Sequence, residues 1–300
     1  MKKIKIAIVG YGNIGRAVHS AVDASPDQEV VGVVLRDSTT ARAKGIAGIA
    51  VAEDITALGP VDVAILCAPS REVPNVAANI LAQGINIVDS YDVHADIYDV
   101  QQRLHVIARE KHAVSVMATG LDPGIDSMIR GIFEAVTPRG LTYTNFGPGM
   151  SMGHTTVVKN IAGVKNALSM TIPLGTGLHR RMVYVEIADG SKEEIIREAI
   201  LNDPYFINDE THVLFVDDVD ARIDMGHAMH VERKGASGPA ENQLLTFNMR
   251  VNNPAATAQM MVASARASMR LAEGCYTVLE IPIIDFLPGG RERIIRQLPV

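Results

Sequence analysis

The chain has no tryptophan, only two cysteines in 300 residues, and 4% aromatic content. Only Cys67 and Cys275 occur, so no disulfide framework and no cysteine-based metal spacing is expected. No apolar run reaches the ~18 residues of a membrane helix, so no membrane partner is expected. Charge is not gathered into blocks either: the net charge is −6 and no Lys/Arg-rich run occurs, which argues against nucleic-acid binding. Met1-Lys2-Lys3 leads into a strand pattern rather than the apolar segment of a signal peptide, so a cytoplasmic, metal-free protein is expected. There are no internal repeats or low-complexity stretches. What remains is 47% hydrophobic and 21% charged, ordinary for a folded chain with a sizeable core and long enough for two domains.

The most informative stretch lies at the start. Ile4-Lys5-Ile6-Ala7-Ile8-Val9 reads as a strand, Gly10-Tyr11-Gly12-Asn13-Ile14-Gly15 as a G-x-G-x-x-G turn, and Arg16-Ala17-Val18 as the continuing helix. In such a unit the first glycine makes the tight turn and the second lets a pyrophosphate approach the backbone. The third lets helix and strand pack closely, while free N–H groups at the helix start face the phosphates. These six residues are therefore expected to bind a dinucleotide. Val30 to Leu35 reads as the next strand. An NAD-binding unit usually ends that strand on an acidic residue that accepts from the ribose 2′-OH. Here Arg36 holds the place, followed by Asp37 and Ser38. A guanidinium suits a 2′-phosphate and a carboxylate repels it, so NADP is the favoured cofactor. A shift of one residue makes Asp37 the ribose acceptor, and a solvated arginine at a strand end is the plainer alternative.

Further strands are expected at Val61–Cys67, Ile85–Asp89 and Ala113–Met117, with helices at Val73–Gln83 and Ile97–Lys111. This alternation predicts a Rossmann-type, doubly wound parallel sheet. Past about residue 125 strands dominate: Leu141–Phe146, Leu168–Ile172, Arg181–Ile187, His212–Val216, Ala228–Glu232 and Leu244–Val251. Ser191-Lys192-Glu193-Glu194 reads as a capping box opening one of the few helices. A second domain, α+β and mostly antiparallel, is the natural reading. Pro254 then opens an Ala/Met-rich helix expected to run to Glu273 and end at Gly274. The expected division is 1–120 plus about 254–300 for the dinucleotide domain, and about 121–253 for a substrate-binding and dimerisation domain.

In an open parallel sheet, ligands bind beyond the carboxyl ends of the strands. The candidates there are Ala68-Pro69-Ser70-Arg71 for the cofactor, Asp92 in Ser90-Tyr91-Asp92, and Asp122-Pro123-Gly124 in the loop after the next strand. Asp92 and Asp122 are expected beside the hydride-transferring ring and count as cofactor-contacting and catalytic candidates. For either alone, loop formation is the plain alternative.

Ala118-Thr119-Gly120-Leu121-Asp122-Pro123-Gly124, paired with Phe146-Gly147-Pro148-Gly149-Met150-Ser151-Met152-Gly153-His154, resembles the meso-diaminopimelate dehydrogenases. The likeness extends to the glycine turn, to Ser90-Tyr91-Asp92 and to the overall length. It implies NADP-dependent, reversible oxidative deamination of the D-centre of meso-2,6-diaminopimelate in the lysine branch, by a homodimer. It also implies that Thr171, Arg181, His227 and Asn253 hold the distal L-amino-acid end, that Phe146 is a substrate-binding residue, and that the N–H groups of Met152 and Gly153 receive a carboxylate. Asp92 and Asp122 would hold the reacting ammonium and help deprotonate it. Arg180 and Arg181 are adjacent on an expected strand and face opposite ways, as do His227 and His230, which argues against a shared metal. Asn253 before Pro254 also suits a helix start.

This chain departs from the family pattern at Leu121 and Phe146, where members carry tryptophan, and at Met152, where they carry glutamine. Less bulky or less polar walls there predict some tolerance for other D-amino acids. Other two-domain NAD(P)-linked amino-acid or aldehyde dehydrogenases and reductases share the N-terminal pattern, but a lysine general acid has no evident candidate here. A non-catalytic NADP-sensing regulator would need a basic DNA-binding module, which this acidic chain lacks.

Overall fold

The structure is a computed structural model and describes residues 3–37, 39, 46, 48–224 and 226–297. Ser38 lies outside the described residues. The chain divides into two compact units, residues 1–128 with 254–300, and residues 129–253.

The first unit is built on β1 (Ile4–Val9), α1 (Asn13–Asp23), β2 (Gln28–Val34), β3 (Val51–Ala52), β4 (Val63–Leu66), α2 (Val73–Leu81), β5 (Asn86–Asp89), α3 (Ile97–Glu110) and β6 (Val114–Met117). Its sheet has the order β13-β6-β5-β4-β1-β2-β3, in which β13 (Gly274–Thr277) arrives from the far end of the chain. Every pairing is parallel. Parallel strands are covered on both faces, so they read as apolar runs rather than alternations. Ile6, Ala7 and Ile8 are accordingly all fully buried, as are Val63, Ala64 and Ile65. Parity sorts them between two cores. Ile6, Ile8, Val63 and Ile65 pack with Val18 and Val22 of α1. Ala7, Ala64, Leu66 and Ile87 pack with Val73, Ala77 and Leu81 of α2 and with Leu104 and Ala108 of α3.

The second unit is a mixed sheet of order β10-β9-β8-β7-β11-β12. Its strands are β7 (Arg139–Met150), β8 (Val164–Gly175), β9 (Leu178–Ile187), β10 (Glu210–Phe215), β11 (Gly226–Ser237) and β12 (Ala240–Asn252). All neighbours are antiparallel except β9 and β10. α4 (Ile125–Val136) precedes β7, α5 (Met152–Lys159) comes after it, and α6 (Glu193–Leu201) lies between β9 and β10. Val158 of α5 and Ile196 and Ile200 of α6 pack with Ala167, Val183, Val185 and Val213 of the sheet.

The expected Rossmann-type sheet and the mostly antiparallel second sheet are both present. Three local expectations need correction. Ser191 does not open a capping box: α6 starts at Glu193 with Lys192 at its cap and no capping side chain. Ser191 lies instead beside Gly163, where a Cβ would meet its Oγ at 2.7 Å. A complete capping box does occur at Thr277 and Glu280. The Pro254 helix, α7 (Asn253–Ser268), ends five residues before Glu273. Its last turn closes through Met269 N–H to Arg266 O and Arg270 N–H to Ala267 O, and the chain then enters β13. Two short edge strands, β3 and β13, were not expected, being too brief to show a period.

α7 belongs to the first unit, where Ala258, Met261, Val262 and Ala265 join the core of Ile6 and Ile8. Arg266 fixes it there. Its guanidinium, 4% exposed, donates to both oxygens of Asp27 (2.6 and 2.7 Å), to Ser25 Oγ (3.0 Å) and to the Phe286 carbonyl (2.8 Å). Among the described residues, no helix is long and apolar enough to cross a membrane.

Candidate active site

The glycine turn comes directly after β1, and its glycines have different neighbours. A Cβ on Gly10, whose φ is +92°, would meet the Cys67 carbonyl at 2.7 Å, and one on Gly15 would meet the Gly10 carbonyl at 2.3 Å. Both are required by the chain's own packing. A Cβ on Gly12 would meet nothing within 4 Å. Gly12 also stands at the cap of α1, where no side chain receives the first N–H groups. The turn is thus open at the place where a pyrophosphate would lie against backbone. Tyr11 Oη lies 2.6 Å from His19 Nδ1, and on the exposed side Asn13 Oδ1 accepts from Arg16 at 2.6 Å. Ile14 packs against the core.

Beyond β2, the Arg36 side chain is 85% exposed, with Glu72 at 3.4 Å. Asp37 accepts from the N–H and hydroxyl of Thr39 at 2.8 and 2.6 Å, bonds that hold its carboxyl below the usual range. Asp37 thus serves as a turn former. Ala68, Pro69, Ser70 and Arg71 form the turn after β4, closed by Glu72 N–H to Pro69 O and Val73 N–H to Ser70 O.

The loops bearing Asp92 and Asp122 are tied together by Asp89, at the end of β5. Its Oδ1 accepts from Tyr91 N–H (2.9 Å) and Ala118 N–H (3.2 Å), and its carbonyl accepts from Thr119 N–H and Oγ1. Oδ2 has no hydrogen-bond partner among the described residues, and burial pushes the carboxyl up to about 6. Asp122 sits in a closed loop: the Gly120 carbonyl accepts from Ile125 N–H, and a Cβ on Gly124 would strike that carbonyl at 2.0 Å. Pro123 and Gly124 complete this turn. His94 Nε2 stands 3.7 Å from Asp122 Oδ1. Neither Asp89 nor His94 stood among the sequence candidates. The signal for His94 was its place two residues past Asp92.

In the second unit, strand register brings four residues into one row. Arg181 of β9 faces Thr171 of β8, Thr171 faces Gly149 of β7, and Gly149 faces His227 of β11. Directly opposed residues of antiparallel strands share a face, so the three side chains lie on one side of the sheet. Gly149 keeps the middle of the row low, for a Cβ there would meet His227 Nδ1 at 2.8 Å. Arg181 donates to Asp209 Oδ2 at 2.6 Å and to Thr171 Oγ1. Arg180 turns the other way, to Glu210. The Phe146 ring stacks on His227 at 6.3 Å and lies 5.7 Å from the His179 ring, whose Nε2 accepts from Phe146 N–H.

The electrostatics of this row centre on one cation. Burial, and then the Arg181 charge, push His227 down to about 4 and His154 down to about 3, and lower His179 as well. Three imidazoles whose protonation is disfavoured thus lie near one guanidinium. Among the described residues no metal-binding group of three His, Cys, Asp or Glu side chains occurs. Met152 and Gly153 open α5, whose cap residue Ser151 makes no capping bond and instead lies 2.8 Å from His154 Nδ1. Asn253 opens α7. Sequence reasoning missed Asp209, His154 and His179 as parts of this row.

Two family models match. Residues 4–118 match the oxidoreductase family, NAD-binding Rossmann fold, and residues 120–253 match the diaminopimelic acid dehydrogenase C-terminal domain. A meso-diaminopimelate D-dehydrogenase of Bacteroides fragilis is 57% identical, covering 99% of this chain and 100% of the relative. The chain belongs to the meso-diaminopimelate D-dehydrogenase family. Two solved structures of similar proteins extend the likeness. The C. glutamicum DAP dehydrogenase in complex with DAP superposes with a TM-score of 0.90 at 30% identity, over 99% of this chain and 100% of that one. An engineered D-amino acid dehydrogenase bound to NADP+ gives 0.89 at 29% identity over the same shares.

Proposed function

We propose that the chain is an NADP-dependent meso-diaminopimelate dehydrogenase, oxidatively deaminating the D-centre to L-2-amino-6-oxopimelate and ammonia, reversibly. The observation that carries this reading is the Arg181–Thr171–Gly149–His227 row, within a chain so similar along its whole length to a named relative. The dinucleotide domain is the unit of residues 1–128 and 254–300, and residues 129–253 are the substrate-binding and dimerisation domain.

The residues present fit the cofactor. Gly10, Tyr11, Gly12, Asn13, Ile14 and Gly15 hold the pyrophosphate through backbone, the open face at Gly12 being the fitting feature. Arg36 meets the 2′-phosphate, with Asp37 beside it and Ser38 the next candidate for the same group. Ala68, Pro69, Ser70 and Arg71 line the ribose and nicotinamide, with Asp92, Asp122, Pro123 and Gly124 beyond them. When bound, NADP supplies a hydride acceptor. The protein's own work is to orient and to move protons. Asp92 and Asp122 bind the reacting ammonium and accept its proton, because only a neutral amine can push hydride from Cα. Arg181 and the α5 N–H groups of Met152 and Gly153 take the distal carboxylate. Thr171, His227 and Asn253 hold the distal amine end, and Phe146 walls the pocket. The neutral state of His227 leaves it able to accept a hydrogen bond from an ammonium.

The deciding experiment monitors NADPH formation at alkaline pH with the meso, LL and DD isomers, using NADP and NAD in parallel. Turnover of the meso isomer with preference for NADP is expected, and none with that isomer overturns the reading. A panel of other D-amino acids tests the looser pocket expected from Leu121, Phe146 and Met152. A cytoplasmic homodimer completes the proposal, and a monomer by light scattering removes the dimer.

A further inference from the structure

The geometry points to His94 as the proton relay between Asp122 and solvent, an inference that rests on the functional reading above. His94 opens the short turn His94–Asp96 after β5, whereas Asp122 comes from the loop after β6. Their side chains meet at 3.7 Å, and His94 is the outer member, 59% exposed against 31% for Asp122. Asp92 lies two residues before it and Asp96 two residues after, and both aspartates act on the buried Tyr91. The charged neighbours named here are thus carboxylates, Asp122 across the loops and Asp92 and Asp96 along the chain. An exposed pair of this kind contributes little to stability, so fold maintenance does not account for it.

The chemistry supplies a reason. The substrate ammonium gives one N–H proton to Asp122, its nitrogen keeping the electron pair. That pair then forms C=N as the Cα–H electrons leave as hydride to the oxidised cofactor. A carboxylic acid, with an ordinary pKa of about 4, must shed this proton before the next turnover. Imidazole, ordinarily about 6.5, accepts it readily. Nε2 takes the proton from the Asp122 carboxyl, and Nδ1 releases one to water. In the reductive direction the protons travel the same path inward.

The test uses full-length His94→Asn and His94→Gln, with melting curves to establish that both fold. Deamination of meso-diaminopimelate is measured from neutral to alkaline pH at low buffer concentration. We expect kcat to fall at least about tenfold, within the usual scale of proton-transfer catalysis. KM for substrate and for NADP should stay within about twofold. Added imidazole should restore kcat in a saturable manner in the His94 variants and leave Asp122→Asn unrestored. An unchanged kcat across the pH range overturns the relay, and so does a loss that imidazole does not repair. If the wild-type protein oxidises no diaminopimelate isomer, the functional reading itself fails and takes the relay with it. That result is distinct from an active wild type with normal His94 variants.

Discussion

Replacing Arg181 by methionine keeps the aliphatic stem and deletes the charge and the donors. In the structure the guanidinium spends one donor on Asp209 and one on Thr171. A guanidinium has five N–H donors, so these two fix its plane and leave the rest for a ligand. A hydrogen bond to a charged partner contributes roughly 1.5–3 kcal/mol. At 1.4 kcal/mol per decade, one such bond to the distal carboxylate corresponds to roughly a 10- to 150-fold loss of kcat/KM. The assay compares meso-diaminopimelate with a D-amino acid of unbranched apolar tail, such as D-norleucine, which has no distal carboxylate. The first substrate should lose that factor, and the second should change by less than about threefold. Arg181→Lys should resemble the methionine variant more than the wild type, because an ammonium cannot reproduce the planar fork. The methionine change also relieves the charge beside His227. Its pKa should rise from about 4, stopping short of the ordinary value because burial, the larger cause, persists. Equal losses on both substrates would refute a role at the distal end.

Three further outcomes are expected. Arg36→Ala should raise KM for NADP roughly 10- to 100-fold, the scale of one charge-assisted phosphate contact, and leave NAD kinetics nearly unchanged; parallel loss with both cofactors removes the 2′-phosphate role. Asp27→Ala strands the buried Arg266 and should cost about 3–5 kcal/mol in urea unfolding at neutral pH. Hydrogen bonds from Arg266 lower the Asp27 pKa, so its contribution is present above the unfolded value and lost as pH falls through the folded one; a cost that does not shrink in acid contradicts this. Asp89 behaves oppositely, its pKa being raised to about 6. The buried proton favours folding in acid, so the stability difference between wild type and Asp89→Asn should move against the wild type, by roughly 2 kcal/mol, as pH rises from about 4 to 7. A flat difference over that window rejects the buried titration.

The glycine turn and the strand ends were legible because their causes are local. A tight turn, a close helix and a loop after an apolar run are each decided within a few residues. The start of α6 at Glu193 rather than beside Ser191 is less legible, because Ser191 sits against Gly163, a segment that only the fold brings near. His94 and Asp122 likewise meet across two strand ends, where no spacing rule connects them.

The substrate row shows most clearly why local reading stops short. Strict alternation along β7 places Phe146 and Gly149 on opposite faces, since they stand three positions apart. That would remove Phe146 from the side of the sheet occupied by Thr171 and His227. The register says otherwise: Met229 pairs with Phe146 while His227 pairs with Gly149, so three steps on β7 match two on β11. This is the signature of a bulge, in which one extra residue re-aims the side chains beyond it. Gly147, at φ +92°, stands where a Cβ would strike the Thr171 carbonyl at 2.2 Å, so the bulge needs glycine and close passage over β8. The Gly147-Pro148-Gly149 run reads in sequence as a turn that breaks a strand. In the fold it keeps the strand and reverses its phase, which is how the Phe146 ring comes to stack on His227 in the row with Arg181.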